Sequence, residues 1–130
     1  MYIEIEPNAE TPIYTQLMYQ IKLGIIKGEL QAEESLPSVR SLAGDLGINM
    51  HTVNKAYNLL VEEEILEKGS KGYAVKEIAR KNKNGKTVQQ LKSRLEELVI
   101  DTEIHAVDQE TTEQWLKEIQ KKIGKLVKKL

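Results

Sequence analysis

Two short amphipathic stretches separated only by Gly47-Ile48-Asn49 leave this chain few ways to fold. In the first, Val39, Leu42, Ala43 and Leu46 recur at helical spacing. Ser38 stands where its hydroxyl accepts from a free amide of the opening turn, and Gly47 where a left-handed residue stops a helix at low steric cost. In the second, Asn49 is the capping residue. Val53, Ala56, Tyr57 and Leu60 share one face, and His51, Asn54, Lys55 and Asn58 fall opposite. Helix, tight turn, helix with a polar leading edge is the helix-turn-helix arrangement. Two extended runs follow, Ile65–Lys68 and Gly72–Val75, joined by Gly69-Ser70-Lys71. They form a hairpin with a basic tip, a wing on the paired helices.

Upstream, Ile3 and Ile5 alternate with acids over Met1–Glu6, the pattern of a short edge strand. Thr11-Pro12 reads as a helix start, with the threonine hydroxyl capping and the proline in the first turn. Ile13, Leu17, Ile21 and Ile25, with Tyr14 and Met18 beside them, form the apolar stripe of that helix, and Gly28 ends it. The expected core adds Leu36, Val39, Leu42, Leu46, Val53, Tyr57, Leu60, Ile65 and Val75, with Leu30 anchoring the loop between.

Downstream, Ile78–Lys86 is polar and carries the Asn84-Gly85 turn signal, the composition of a linker. Val88, Leu91, Leu95 and Leu98 then step by helical intervals. Beyond Ile104-His105-Ala106-Val107, so do Leu116, Ile119, Ile123, Leu126 and Leu130. Thr111 and Gln114 suggest a capping box for the last helix, and Gly124 inside it implies close packing or local weakness. Two such stripes cannot both be buried within one helical hairpin, so a second copy of the chain is the simplest partner. Leu91, Leu95, Leu98, Trp115, Leu116, Ile119, Ile123 and Leu126 would form that dimer interface. The expected fold is mainly α with a small β wing: a winged helix-turn-helix at 1–78, then a two-helix dimerisation hairpin at 79–130.

Several chemistries are excluded. With no cysteine, thiolate metal sites and disulfides are impossible. His51 and His105 lack neighbours that would mark a metal site or a catalytic triad, and Gly69-x-x-Gly72 is too short to cradle a phosphate. No enzyme activity, metal or cofactor is expected. No apolar run approaches the ~18 residues of a membrane span, and the first residues carry no signal-peptide pattern, so a cytoplasmic location is the default. Charge is divided: residues 1–80 hold 8 Lys and Arg against 12 Asp and Glu, and residues 81–130 hold 11 against 8. Any anion-binding patch near the helix pair must be local, and Glu62-Glu63-Glu64 must point elsewhere.

Leu36-Pro37-Ser38-Val39-Arg40-Ser41-Leu42-Ala43, then Thr52-Val53-Asn54-Lys55-Ala56-Tyr57, then a glycine-bearing hairpin ending in Val75, resembles the winged helix of GntR-type bacterial transcription regulators. The short helical tail looks like that of the YtrA-type subfamily, whose members lack a separate effector domain. The resemblance implies a homodimeric regulator, expected to be a repressor, bound to a palindromic double-stranded operator. Ser38, Arg40, Asn49, Met50, His51, Thr52, Asn54 and Lys55 would meet the major groove or its phosphates, and Lys68, Ser70 and Lys71 the minor groove. The chain departs from the family at Met50, where arginine is usual, at Gly69-Ser70 in place of arginine-glycine, at Ala74 in place of an aromatic, and at Glu33 in place of glycine. The competing expectation is a winged-helix module for protein–protein contact, which the acidic balance of residues 1–80 favours.

Overall fold

The computed structural model describes residues 2–77 and 85–127, which fall into two units, one on each side of the undescribed segment. In the first unit α1 (Ile13–Ile26), α2 (Val39–Leu46) and α3 (Met50–Glu62) precede a hairpin of β1 (Leu66–Gly69) and β2 (Gly72–Val75). In the second, α4 (Lys86–Ile104) precedes α5 (Gln109–Gly124). The linker residues Arg80, Lys81 and Lys83 and the stripe residue Leu130 lie outside the described residues.

The core of the first unit gathers Leu17, Ile21, Leu42, Ala43, Val53, Ala56, Tyr57 and Leu60 from the three helices. Leu30, Leu36, Leu66, Tyr73 and Val75 close it from the loops and the hairpin. Two expectations shift by one place. Leu66, not Ile65, is the buried residue entering the wing, because β1 starts at Leu66 and pairs it with Val75. The connecting turn is Ser70-Lys71 alone, since Gly69 and Gly72 are themselves paired.

The segment before α2 adds a strand-like contact that periodicity did not reveal. Glu33 donates to the Val75 carbonyl, Val75 to that of Glu34, and Leu36 to that of Tyr73, so this segment runs antiparallel beside β2. Glu33 holds φ 68°, the left-handed region where a side chain costs energy and glycine does not. This is the position where the resembling family carries glycine.

Residues 3–6 do not form a strand. Their backbone is instead clamped by two side-chain amides of α1, one turn apart. Gln20 accepts from Glu4 N at 2.8 Å and donates to the Glu4 carbonyl. Gln16 accepts from Glu6 N at 2.9 Å and donates to the carbonyls of Glu6 and Thr11. A primary amide presents the same donor and acceptor as a peptide group, so the pair replaces a neighbouring strand. Thr11 does not cap α1 through its side chain. Pro12 itself is the N-cap, and its carbonyl accepts from Thr15 and Gln16.

Four helices end on one motif. A left-handed residue ends each of them, and its amide and the next close 5→2 and 6→1 bonds onto the last turn. That residue is Gly28 after α1 (φ 77°), Gly47 after α2 (φ 66°), Glu64 after α3 (φ 61°) and Ala106 after α4 (φ 58°).

In the second unit the cap of α5 is Asp108, not Thr111. Its carboxylate accepts from Thr111 N at 2.7 Å. Hydrogen bonding to Thr111, side chain and then backbone, holds this carboxyl below the usual carboxylate range. Gln114 donates to Glu118 instead of closing a capping box. Helix α5 stops at Gly124, so Leu126 lies in the turn beyond it, and a Cβ built at Gly124 would touch nothing. No described residue of α4 or α5 is buried. Trp115 is 47 % exposed and Leu98 60 %, so the tail's apolar stripes remain uncovered within one chain.

Candidate nucleic-acid interface

The sequence places two helix starts side by side, and the caps at those starts leave donors free. Ser38 Oγ accepts from Ser41 N at 3.1 Å, which leaves its O–H to donate outward. Asn49 Oδ1 accepts from His51 N at 2.7 Å, which leaves both amide N–H donors unspent. Neither α2 nor α3 has an acid in its first turn, so no carboxylate opposes the positive ends of the helices.

Of the residues singled out from sequence, Ser38, Arg40, Asn49, Met50, His51, Asn54, Lys55, Lys68, Ser70 and Lys71 are exposed, and Thr52 is half-buried. Met50 leads α3 with 44 % of its surface in water, an apolar side chain of a kind that meets a thymine methyl. Among the described residues no carboxylate lies within ion-pair range of Arg40, Lys55, Lys68 or Lys71.

The acids gather elsewhere. At the far end of α3, ~18 Å from Met50 at 1.5 Å per residue, Glu63 pairs with Lys22 at 2.9 Å and Glu64 with Lys76 at 3.6 Å. Helix α3 therefore presents neutral and cationic side chains at one end, and Glu62 with the paired Glu63 and Glu64 at the other.

Two tyrosines, which the sequence marked only as core or strand residues, fix the elements around this surface. Tyr57 of α3 is wholly buried and donates to the Pro37 carbonyl, just before the cap of α2. Burial, and then the neighbouring Tyr73, push its hydroxyl pKa well above the ordinary value. The Tyr73 ring meets that of Tyr57 edge to face at 4.8 Å. Its hydroxyl donates to Asn58 Oδ1 at 2.8 Å, so the wing is tied to the recognition helix. Asn58 is thus a partner of the wing, and not simply a solvated member of the polar face. Tyr73, one position before Ala74, places an aromatic ring of the wing in the core.

The lysines are also seated. Lys55 is exposed on α3, and its ammonium rests over the ring of Tyr14 of α1 at 4.0 Å. Lys68 lies over the ring of its cross-strand neighbour Tyr73 at 5.5 Å. No group of three or more metal-ligating side chains occurs among the described residues. Among the described residues no helix is long and apolar enough to cross a membrane.

Comparison with known proteins places this geometry. The model of the bacterial regulatory proteins, gntR family, matches residues 13–72. The HTH-type transcriptional repressor YtrA of Bacillus subtilis (strain 168) is 36% identical over 118 residues, 90% of this chain and 91% of the relative. The crystal structure of a transcriptional antiterminator from Listeria monocytogenes EGD-e superposes with TM-score 0.79 at 28% identity, over 95% of this chain and 92% of that one. The DNA-binding domain of AraR in complex with operator ORX1 superposes with TM-score 0.51 at 26% identity, covering 58% of this chain and 98% of that one. A winged helix closed by these motifs, with a similar chain matched nearly end to end, establishes that this protein belongs to the GntR family of non-enzymatic bacterial transcription regulators, in its YtrA-like subfamily.

Proposed function

We propose that this chain is a cytoplasmic transcriptional repressor that binds a two-fold symmetric DNA operator as a homodimer. Residues 1–78 form its DNA-binding unit and residues 79–130 its dimerisation unit. The observation that carries the reading is the divided charge along α3: uncompensated donors surround Met50, and the acids Glu62, Glu63 and Glu64 lie at the other end, the last two paired with lysines. In each half-site the residues Asn49–Asn58 enter the major groove, and Arg40 grips a phosphate or a guanine through its planar fork. The wing tip, Lys68, Ser70 and Lys71, follows the adjacent backbone or minor groove. The operator complex of AraR supports this placement by similarity. The uncovered stripes through Leu91, Leu95 and Leu98, and through Trp115, Leu116, Ile119, Ile123 and Leu126, pair with those of a second copy. That pairing sets the spacing of the two recognition helices.

A mobility shift with the duplex upstream of the protein's own gene tests the reading. Wild type binds with a steep dependence on salt, and Arg40→Ala loses about ten- to a hundred-fold in affinity, the scale of a charge-assisted bond. Failure of wild type to bind heparin or any duplex in low salt would instead favour the protein-contact module.

A further inference from the structure

We propose that Tyr14 is a positioning residue for Lys55: its ring holds the lysine ammonium at the flank of the recognition helix, where it meets a backbone phosphate rather than a base edge. The proposal rests on the DNA-binding reading above and names a residue of α1, outside the helix-turn-helix, as part of how that surface works.

Lys55 is exposed, and no carboxylate of a described residue lies within ion-pair range of it. A free lysine of this kind samples many rotamers. Here the ammonium is held 4.0 Å from the centroid of the Tyr14 ring, within the range of a cation over an aromatic face. The ring is itself constrained. It is half-buried, and it packs against the core beneath α1 and α3.

Direction follows from helical geometry. Lys55 lies ~100° around α3 from Asn54, and its ammonium reaches back to the ring of Tyr14 on α1. Its ammonium is therefore drawn off the leading edge that faces the groove floor. Contact with the ring face is electrostatic and leaves N–H donors pointing outward. A compact charge with rotating donors suits a phosphate, and it lacks the rigid fork that reads guanine. Holding the side chain in place before DNA arrives removes part of the rotamer entropy that binding would otherwise cost.

The test is a double-mutant cycle, read by fluorescence anisotropy with the upstream duplex over a salt series. Lys55→Gln is expected to reduce the slope of log K against log salt by about 0.9, one phosphate contact. Tyr14→Leu should weaken binding about five-fold at an unchanged slope, and Tyr14→Phe or Tyr14→Trp, which keep a ring face, should restore it. In the Lys55→Gln background Tyr14→Leu should cost nothing further.

An additive cycle, or Tyr14→Phe as weak as Tyr14→Leu, overturns the proposal and leaves the DNA reading intact. A wild-type chain that binds no duplex removes both. The seating can also be read without substituting Tyr14. The Lys55 ε-methylene proton resonances should be shifted upfield by the ring current in free wild-type protein, and unshifted resonances overturn the proposal.

Discussion

The hydroxyl of Tyr57 donates to the carbonyl oxygen of Pro37 at 2.9 Å, joining the middle of the recognition helix to the residue that leads into the cap of the helix before it. The bond is made from a wholly buried ring. Removing the hydroxyl leaves that carbonyl without its partner, and the two helix starts lose their tie. Tyr57→Phe is expected to destabilise the protein by about 1–2 kcal/mol, and thermal unfolding measures it.

The same residue sets an alkaline limit. Burial raises its folded-state pKa above the ordinary 10.0, so the unfolded chain gives up this proton first. The stabilising contribution is complete below that ordinary value and is lost as pH climbs beyond it toward the folded-state pKa. Urea midpoints should fall more steeply above pH 10 in wild type than in Tyr57→Phe. Parallel curves for the two would refute the assignment.

The shared helix ending makes an opposed pair of predictions. Gly47 is left-handed and has open space where a Cβ would be, so Gly47→Ala should cost about 1 kcal/mol through the backbone alone. Ala106 occupies the corresponding place after α4 with a side chain, so Ala106→Gly should gain about as much. Chemical denaturation of the full chain reads both, and equal signs would contradict the argument.

Met50 makes a prediction about sequence preference. If its exposed side chain meets a thymine methyl, replacing that thymine by deoxyuridine should cost wild type about 1 kcal/mol, near five-fold in affinity. Met50→Ala should bind both duplexes alike. A scan of single deoxyuridine substitutions across the operator finds the position, and a scan in which wild type is indifferent everywhere excludes the contact.

For the tail, Leu95→Glu and Ile119→Lys place charges on stripes that are 49% and 56% exposed in a single chain. Neither substitution buries a charge in the monomer, so an effect on folding of the isolated chain should be small. Light scattering should nevertheless report a monomer for either variant. A dimer that persists in both would locate the interface elsewhere.

Local signals were sufficient where the energy is local. The Ser38 and Asn49 caps, the left-handed glycines at 28 and 47, and the buried face of Val53, Ala56, Tyr57 and Leu60 follow from sterics and spacing within a few residues. The tail stripes were legible for the same reason, but the end of α5 was not, because Leu126 continued the spacing after the helix had stopped.

What the amino-acid order determined alone was therefore the helices, the end of α1, both ends of α2, the start of α3 and the wing. Tertiary structure decided the pairing of 33–36 with β2, the clamp of Gln16 and Gln20 on the N-terminal arm, the tyrosine ties between wing and helices, and the seat of Lys55 on Tyr14. Each of these joins groups distant in the chain. Their partners are chosen only when packing of α1, α3 and the hairpin brings them within a few ångströms, and no local spacing rule encodes that proximity. Glu64 and Ala106 show the same division, since the fold held them left-handed although neither side chain prefers it.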